Sequence, residues 1–274
     1  MAYPTTLSVG PYEIYLFVDG VYSAPITDLT HPEGETRRNA LISAWGKPEW
    51  AADVNCFALR GPDGLILIDA GAGASWGPGY GSVAAAIDAA GFAPEQVSTV
   101  LLTHLHGDHA LGLLRQDAAR FPNADILTPR MELTFYGEAG NLAKTPEGMR
   151  GSFANLEKVK RAYGVQVRAI DPGPVLPGVE AVALPGHTPG HTGYLIHDDR
   201  RSLLIWGDIV HVEALQLADP AVGLGSDHDP ETARHSRRHA FEMAAREGWR
   251  VAGGHVTGIR RIEARGDGFA FAEE

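Results

Sequence analysis

The segment Thr103-His104-Leu105-His106-Gly107-Asp108-His109 places three imidazoles and a carboxylate within six residues, directly after the apolar run 97–102. Side chains alternate along an extended chain, so His104 and His106 point the same way at a strand end, while Asp108 and His109 follow where the backbone turns into the next element. One short segment can thus feed two metal ions. Imidazole nitrogen and carboxylate oxygen without thiolate suit zinc, and also iron, manganese or cobalt. The chemistry to expect from such a site is hydrolysis, because a bound divalent cation acidifies water and polarises a carbonyl or phosphoryl oxygen.

Three further segments have matching chemistry. His187 follows an apolar run in Leu184-Pro185-Gly186-His187-Thr188-Pro189-Gly190-His191, and Gly186 lets the backbone approach closely. Leu204-Ile205-Trp206-Gly207-Asp208 ends in a carboxylate, and Val251-Ala252-Gly253-Gly254-His255 in an imidazole. Asp69 closes the run Leu65-Ile66-Leu67-Ile68 and is a strand-end carboxylate of the same kind. His235 and His239 lie one helical turn apart, but among Arg234, Arg237 and Arg238, the pattern of a solvated basic face.

These residues need strands to carry them. Short apolar or alternating runs at 13–18, 55–59, 65–69 and 97–102 predict strands in the first half, with a helix over 83–90 stopped by Gly91 and another continuing behind the motif over 110–115. The second half repeats the plan with strands at 166–170, 179–184, 193–196 and 202–206. A long helix to Glu247 follows, with Asp229 as N-cap and Pro230 at its first position, and then strands near 249–252 and 259–264. Two strand-rich halves flanked by helices predict two sheets between helical layers. No low-complexity linker interrupts the chain, so one domain, 1–274, is expected. The stretches 23–53, with Trp45 and Trp50, and 132–151, with Phe135 and Tyr136, read as long loops that form lids or binding walls, or else a homodimer contact or plain surface packing.

Composition narrows the partners. A formal net charge of -11 argues against nucleic acid or an anionic membrane, and leaves a small-molecule substrate. The single Cys56 excludes an internal disulfide. No apolar run approaches the roughly 20 residues that cross a bilayer, and residues 1–10 lack a basic segment followed by an apolar one. A cytoplasmic location without a signal peptide is therefore expected.

With those motifs in view, the sequence resembles the metallo-β-lactamase-fold hydrolase superfamily over nearly its whole length. Within it, Trp206-Gly207-Asp208-Ile209-Val210-His211-Val212, the loop 70–81 and Ala244-Ala245-Arg246-Glu247-Gly248-Trp249 look like the branch with acyl-homoserine lactone lactonases and methyl parathion hydrolase. The resemblance implies an α/β fold, a four-layer αβ/βα sandwich, with two divalent metal ions, zinc foremost, at one edge. Carried over by position, His104, His106 and His187 hold one ion, Asp108, His109 and His255 the other, and Asp208 bridges both. Two cations about 3.5–4 Å apart repel each other and favour a shared carboxylate and a shared hydroxide, the nucleophile. Asp69 falls behind the ligands, where it would orient an imidazole or the motif loop. His191 becomes an outer or structural residue, since His187 already supplies the ligand from that loop.

The resemblance also gives catalytic roles. A metal ion or Asp108 would assist departure of the leaving group. His211 stands three residues after Asp208, where the resembling lactonases carry Tyr and the methyl parathion hydrolase type carries His, and would act on the substrate. The expected reaction is hydrolysis of a small ester, a lactone or an organophosphate triester. A glyoxalase-like thioesterase and an iron-dependent sulfur dioxygenase are the alternatives. Against the first stands the short tail after His255 in place of a glutathione-binding region.

Overall fold

A computed structural model describes residues 6–62 and 64–273. Strands β1 (Thr6–Val9), β2 (Tyr12–Pro25), β3 (Glu49–Gly61), β4 (Gly64–Ile68), β5 (Val97–Leu101), β6 (Asp125–Pro129) and β7 (Val167–Ile170) form one seven-stranded sheet in chain order. Strands β8 (Gly173–Leu176), β9 (Val179–Ala183), β10 (Thr192–His197), β11 (Ser202–Ile205), β12 (Arg250–Ala252), β13 (Arg260–Arg265) and β14 (Gly268–Phe271) form a second, also in chain order. Each begins as an antiparallel meander. Parallel pairing then appears at β4–β5, β5–β6 and β6–β7 in the first sheet and at β11–β12 in the second.

The layers follow from the side chains. In β4, Leu65 and Leu67 pack among Val83, Ile87, Phe153 and Leu156, whereas Ile66 and Ile68 pack against the other sheet with Tyr194, Ile196 and Leu203. Such a run is apolar throughout because both faces of the strand are covered. β11 behaves likewise, with Leu203 and Ile205 between the sheets and Leu204 facing Ala240, Phe241 and Ala244 of the long helix Pro230–Glu247. The result is the four-layer αβ/βα sandwich. That helix begins as expected: Asp229 accepts the backbone N–H groups of Glu231 and Thr232, and Gly248 ends it at φ 65°. Among the described residues no helix is long and apolar enough to cross a membrane.

Three expectations need correction. The stretch 23–53 is not a loop: β2 and β3 extend their pairing out to Pro25 and Glu49, and the tip carries the helix Glu35–Trp45. No residue of that helix is fully buried: only Leu41, Ile42 and Trp45, half-buried against the cluster of Ile26, Leu29, Trp50 and Leu224, pack inward, too short an apolar stripe to mark the helix in the sequence. The stretch 132–151 holds most of the helix Arg130–Gly137 and all of Ala139–Lys144. Behind the motif the helix is only Gly107–Ala110, followed by a 3-10 turn and the short strand Leu114–Arg115. Gly112 explains the stop, because its N–H bonds Gly71 O at 2.7 Å and a Cβ there would lie 1.8 Å from Ala70 O.

Candidate metal centre

Every expected ligand stands just beyond the C-terminal end of a strand. His104, His106, Asp108 and His109 follow β5, His187 follows β9, Asp208 follows β11 and His255 follows β12. The parallel pairs β4–β5 and β11–β12 bring these ends out at one edge of the sandwich, as open α/β sheets do with their ligand sites.

The structure brings all seven together in two groups: His104, His106, His187 and Asp208, then Asp108, His109, Asp208 and His255. Within each group the ligand atoms lie within 4.8 Å of one another, and Asp208 belongs to both. Its Oδ2 is 3.4 Å from His187 Nε2 and 3.2 Å from His255 Nε2, and its Oδ1 is 3.2 Å from His109 Nε2.

These residues fit a metal. His104 Nε2, His109 Nε2 and Asp208 Oδ1 are fully buried without a hydrogen-bond partner, although the last two are only 3.2 Å apart. Buried lone pairs that converge without bonding one another call for a cation between them. Gly254 keeps the space open: a Cβ there would sit 2.4 Å from Asp208 Oδ1 and 2.7 Å from His109 Cε1.

The other nitrogen of most ligating imidazoles is tied back, which fixes each tautomer with Nε2 toward the cluster. His109 Nδ1 meets Asp69 Oδ2 at 2.8 Å, His187 Nδ1 meets Asp227 Oδ1 at 3.0 Å, and His255 Nδ1 meets Asp53 O at 2.8 Å. His104 Nδ1 meets Thr103 Oγ1 at 3.0 Å, and that hydroxyl donates to Asp69 Oδ2. Asp69 thus orients two ligands, one directly and one through Thr103, in the place the resemblance gives it. It also accepts Thr103 N–H, and holds φ 60°, a left-handed conformation that Asp tolerates better than most residues. His191 supports Asp208 from behind: its Nδ1–H donates to Leu184 O and its Nε2 accepts Asp208 N–H at 2.8 Å. Gly207 makes room for it, since a Cβ there would lie 2.5 Å from His191 Nε2.

Asp227 and Arg237 escape the sequence reading. Arg237 is not on a solvated face but 1% exposed, donating to Ile209 O, Pro220 O and Val222 O, with Asp227 Oδ2 3.8 Å away. It braces the segment after Asp208 and the carboxylate behind His187. His235 and His239 on the same helix are exposed.

Charge is concentrated here. Burial penalises the Asp208 carboxylate, yet His109 and His255 outweigh it and hold the group well below the ordinary range. Burial likewise disfavours charged His187 and His255, but the carboxylates push them up to about 9 and about 10. His106 goes the other way, to about 3, through burial and then the neighbouring His187. His191 is held neutral by burial, at about 3, which agrees with its tautomer.

The ligands open into a cavity of about 270 Å³, adjoined by one of about 550 Å³ that shares Tyr22, Asp28, His106, Met149 and His187 with it. Of the expected aromatic wall, Trp50 lines the first cavity and lies 6.0 Å edge-on from His211, while Tyr136 lines the second. Trp45 instead borders a separate cavity of about 610 Å³ on the far side of His211 and His255. Phe135 packs on Phe153 and His228. Tyr22 and Trp76, 5.8 Å apart, complete the wall without any motif to announce them. His211 reaches the cluster, its Nε2 3.2 Å from Asp208 Oδ2 and its Nδ1 buried without a partner.

Residues 50–255 match the metallo-beta-lactamase superfamily, and the chain belongs to that superfamily as one of its hydrolases. Among solved structures it is similar to the hydrolase AbOPH of the beta lactamase superfamily, with TM-score 0.88 and 27% identity, covering 99% of this chain and 97% of that one. AidC, a dizinc quorum-quenching lactonase, shares the fold with TM-score 0.86 at 22% identity over 99% of this chain and 97% of its own. The uncharacterized protein YobT of Bacillus subtilis (strain 168) is 29% identical over 157 residues, 57% of this chain. The match spans 61% of the length of that curated relative.

Proposed function

We propose that this hydrolase cleaves small neutral or weakly polar esters, lactones or organophosphate triesters, at a dinuclear metal centre. The observation that carries the substrate class is the charge of the two cavities above the ligands. Among the described residues no Lys or Arg lines either, whereas Asp28 and Asp108 do. Apart from the metal ions themselves, neither of these two cavities offers a permanently anionic substrate arm a basic side chain, and Asp28 would repel it. Glutathione thioesters and β-lactams carry such carboxylates, and lactones and triesters do not. The lactonase AidC among the structural neighbours supports the same choice.

His104, His106 and His187 would hold one ion and Asp108, His109 and His255 the other, with Asp208 common to both. Bound there, the ions would supply hydroxide near neutral pH and polarise the ester oxygen. The chain's own residues do the rest. Asp108, a carboxylate at the cavity floor, takes up a proton and passes it to the leaving group. His211, held neutral at about 4 by burial against the pull of Asp208, directs its Nε2–H into the cluster, toward charge developing on the substrate oxygen. Trp50, Trp76 and Tyr22 shield the reaction from water.

A panel of a γ-lactone, a phosphotriester, a glutathione thioester and a β-lactam, run on metal-supplemented protein, tests the reading. Expected is a kcat/KM for the lactone or the triester about 10² or more above both anionic substrates. Preference for the thioester or the β-lactam would overturn it.

A further inference from the structure

Four of the five ligand imidazoles are braced through their second nitrogen, and His106 is not. Its Nδ1 lies 3.0 Å from His187 Nε2 within the first ligand group, and among the described residues its Nε2 has no hydrogen-bond partner. The backbone must aim this ring. Leu105 is the one residue between His104 and His106, and both its polar groups are taken: its N–H donates to Glu132 Oε2 at 3.0 Å, and Asn155 Nδ2 donates to its O at 3.0 Å. On the other side of His106 the helix Gly107–Ala110 begins, with Ala110 N–H donating to His106 O at 3.0 Å.

Glu132 stands in the first turn of the helix Arg130–Gly137 and is fully buried. Its second oxygen, Oε1, accepts Gly190 N–H at 2.8 Å, on the loop that carries His187. Gly190 admits this approach, since a Cβ there would lie 2.5 Å from Glu132 N and 3.0 Å from Glu132 Oε1. A carboxylate that accepts one backbone N–H with each oxygen is a charge-assisted clamp between two chain segments. Here one segment carries His104 and His106 and the other His187, which are all the imidazoles of the first ligand group. The second group has its own anchors: Asp69 and Ala70 N–H hold His109, and Asp53 O holds His255. We infer that Glu132 is a positioning residue for the first ligand group, registering the motif loop against the His187 loop and, with Asn155, aiming His106 through the backbone of Leu105. This rests on the two-ion reading above and is independent of the substrate. Groups behind metal ligands are worth about 10–100-fold in metal affinity, and a clamp that serves one group should affect that group alone.

The test is a stepwise titration of metal-free protein with cobalt(II), followed by ligand-field absorption with no substrate present. Two backgrounds isolate the groups: His255→Ala leaves the first intact, and His187→Ala the second. Glu132→Gln keeps the size of the side chain but turns an NH2 toward one of the two N–H groups. In the His255→Ala background it should raise the Kd of the ion about tenfold or more, and in the His187→Ala background less than about twofold. Asn155→Ala strips Leu105 O of its donor and should weaken the same group selectively, which keeps the test open where Glu132→Gln fails to fold. Equal weakening in both backgrounds, the mark of a general loss of stability, would overturn the assignment, as would no weakening in either. Wild type that binds a single ion would sink the dinuclear reading. Even then, weakening confined to the His255→Ala background would uphold Glu132, and its absence there would overturn it.

Discussion

Asp208→Ala should remove nearly all hydrolysis, on the order of 10³ or more in kcat, beyond the cost of a single lost oxyanion donor. Asp208 is the only residue shared by the two ligand groups, so its loss strikes both at once. Five imidazoles have nitrogens within 3.7 Å of its oxygens: His104, His109, His187, His211 and His255. Without the carboxylate, two cations would face each other with no bridging charge, and metal content should fall along with turnover. Turnover and metal content are measured on the same preparation. Near-wild-type turnover with two bound metals would reject Asp208 as the bridge.

His211→Phe should lower kcat by about 10² and leave metal content unchanged. The change is local, because the backbone around His211 is held independently of its ring. Gln216 Oε1 accepts the N–H of His211 at 2.7 Å and that of Val212 at 2.9 Å. A phenyl ring can keep the packing on Trp50 and on His255, whose ring centroid lies 4.7 Å from that of His211. What it removes is the Nε2–H. Full activity on both a lactone and a phosphotriester would reduce His211 to packing, and loss of metal would make it a ligand.

The candidate ligands were legible because each sits where an apolar strand ends, and apolar runs survive in a sequence read without structure. Leu65 to Ile68 and Leu203 to Ile205 show it: both faces of these strands are covered, so the run is continuous and the polar residue beyond it stands out. The supports were legible only when they shared that position, as Asp69 does. Asp227 meets His187 from a loop 40 residues away, and Arg237 looks like its exposed neighbours on the same helix until the fold buries it. Tertiary contact assigns their roles, and no local pattern records it. The helix Glu35–Trp45 was hard to read for the opposite reason, since it buries no residue fully and only Leu41, Ile42 and Trp45 in its second half pack inward. The cavity walls combine both difficulties. Tyr22 projects from an overlong strand and Trp76 from a 3-10 turn, and the two meet over His106 and Asp108 only in the folded chain.

The central claim is a dinuclear centre, and counting metal tests it most directly. Elemental analysis after mild supplementation with a divalent metal at neutral pH, where imidazoles can shed protons to ligate, should give two ions per chain. His104, His106 and His187 account for one, Asp108, His109 and His255 for the other, with Asp208 between them. A stoichiometry that never exceeds one would contradict the account and favour a mononuclear chemistry such as sulfur dioxygenation.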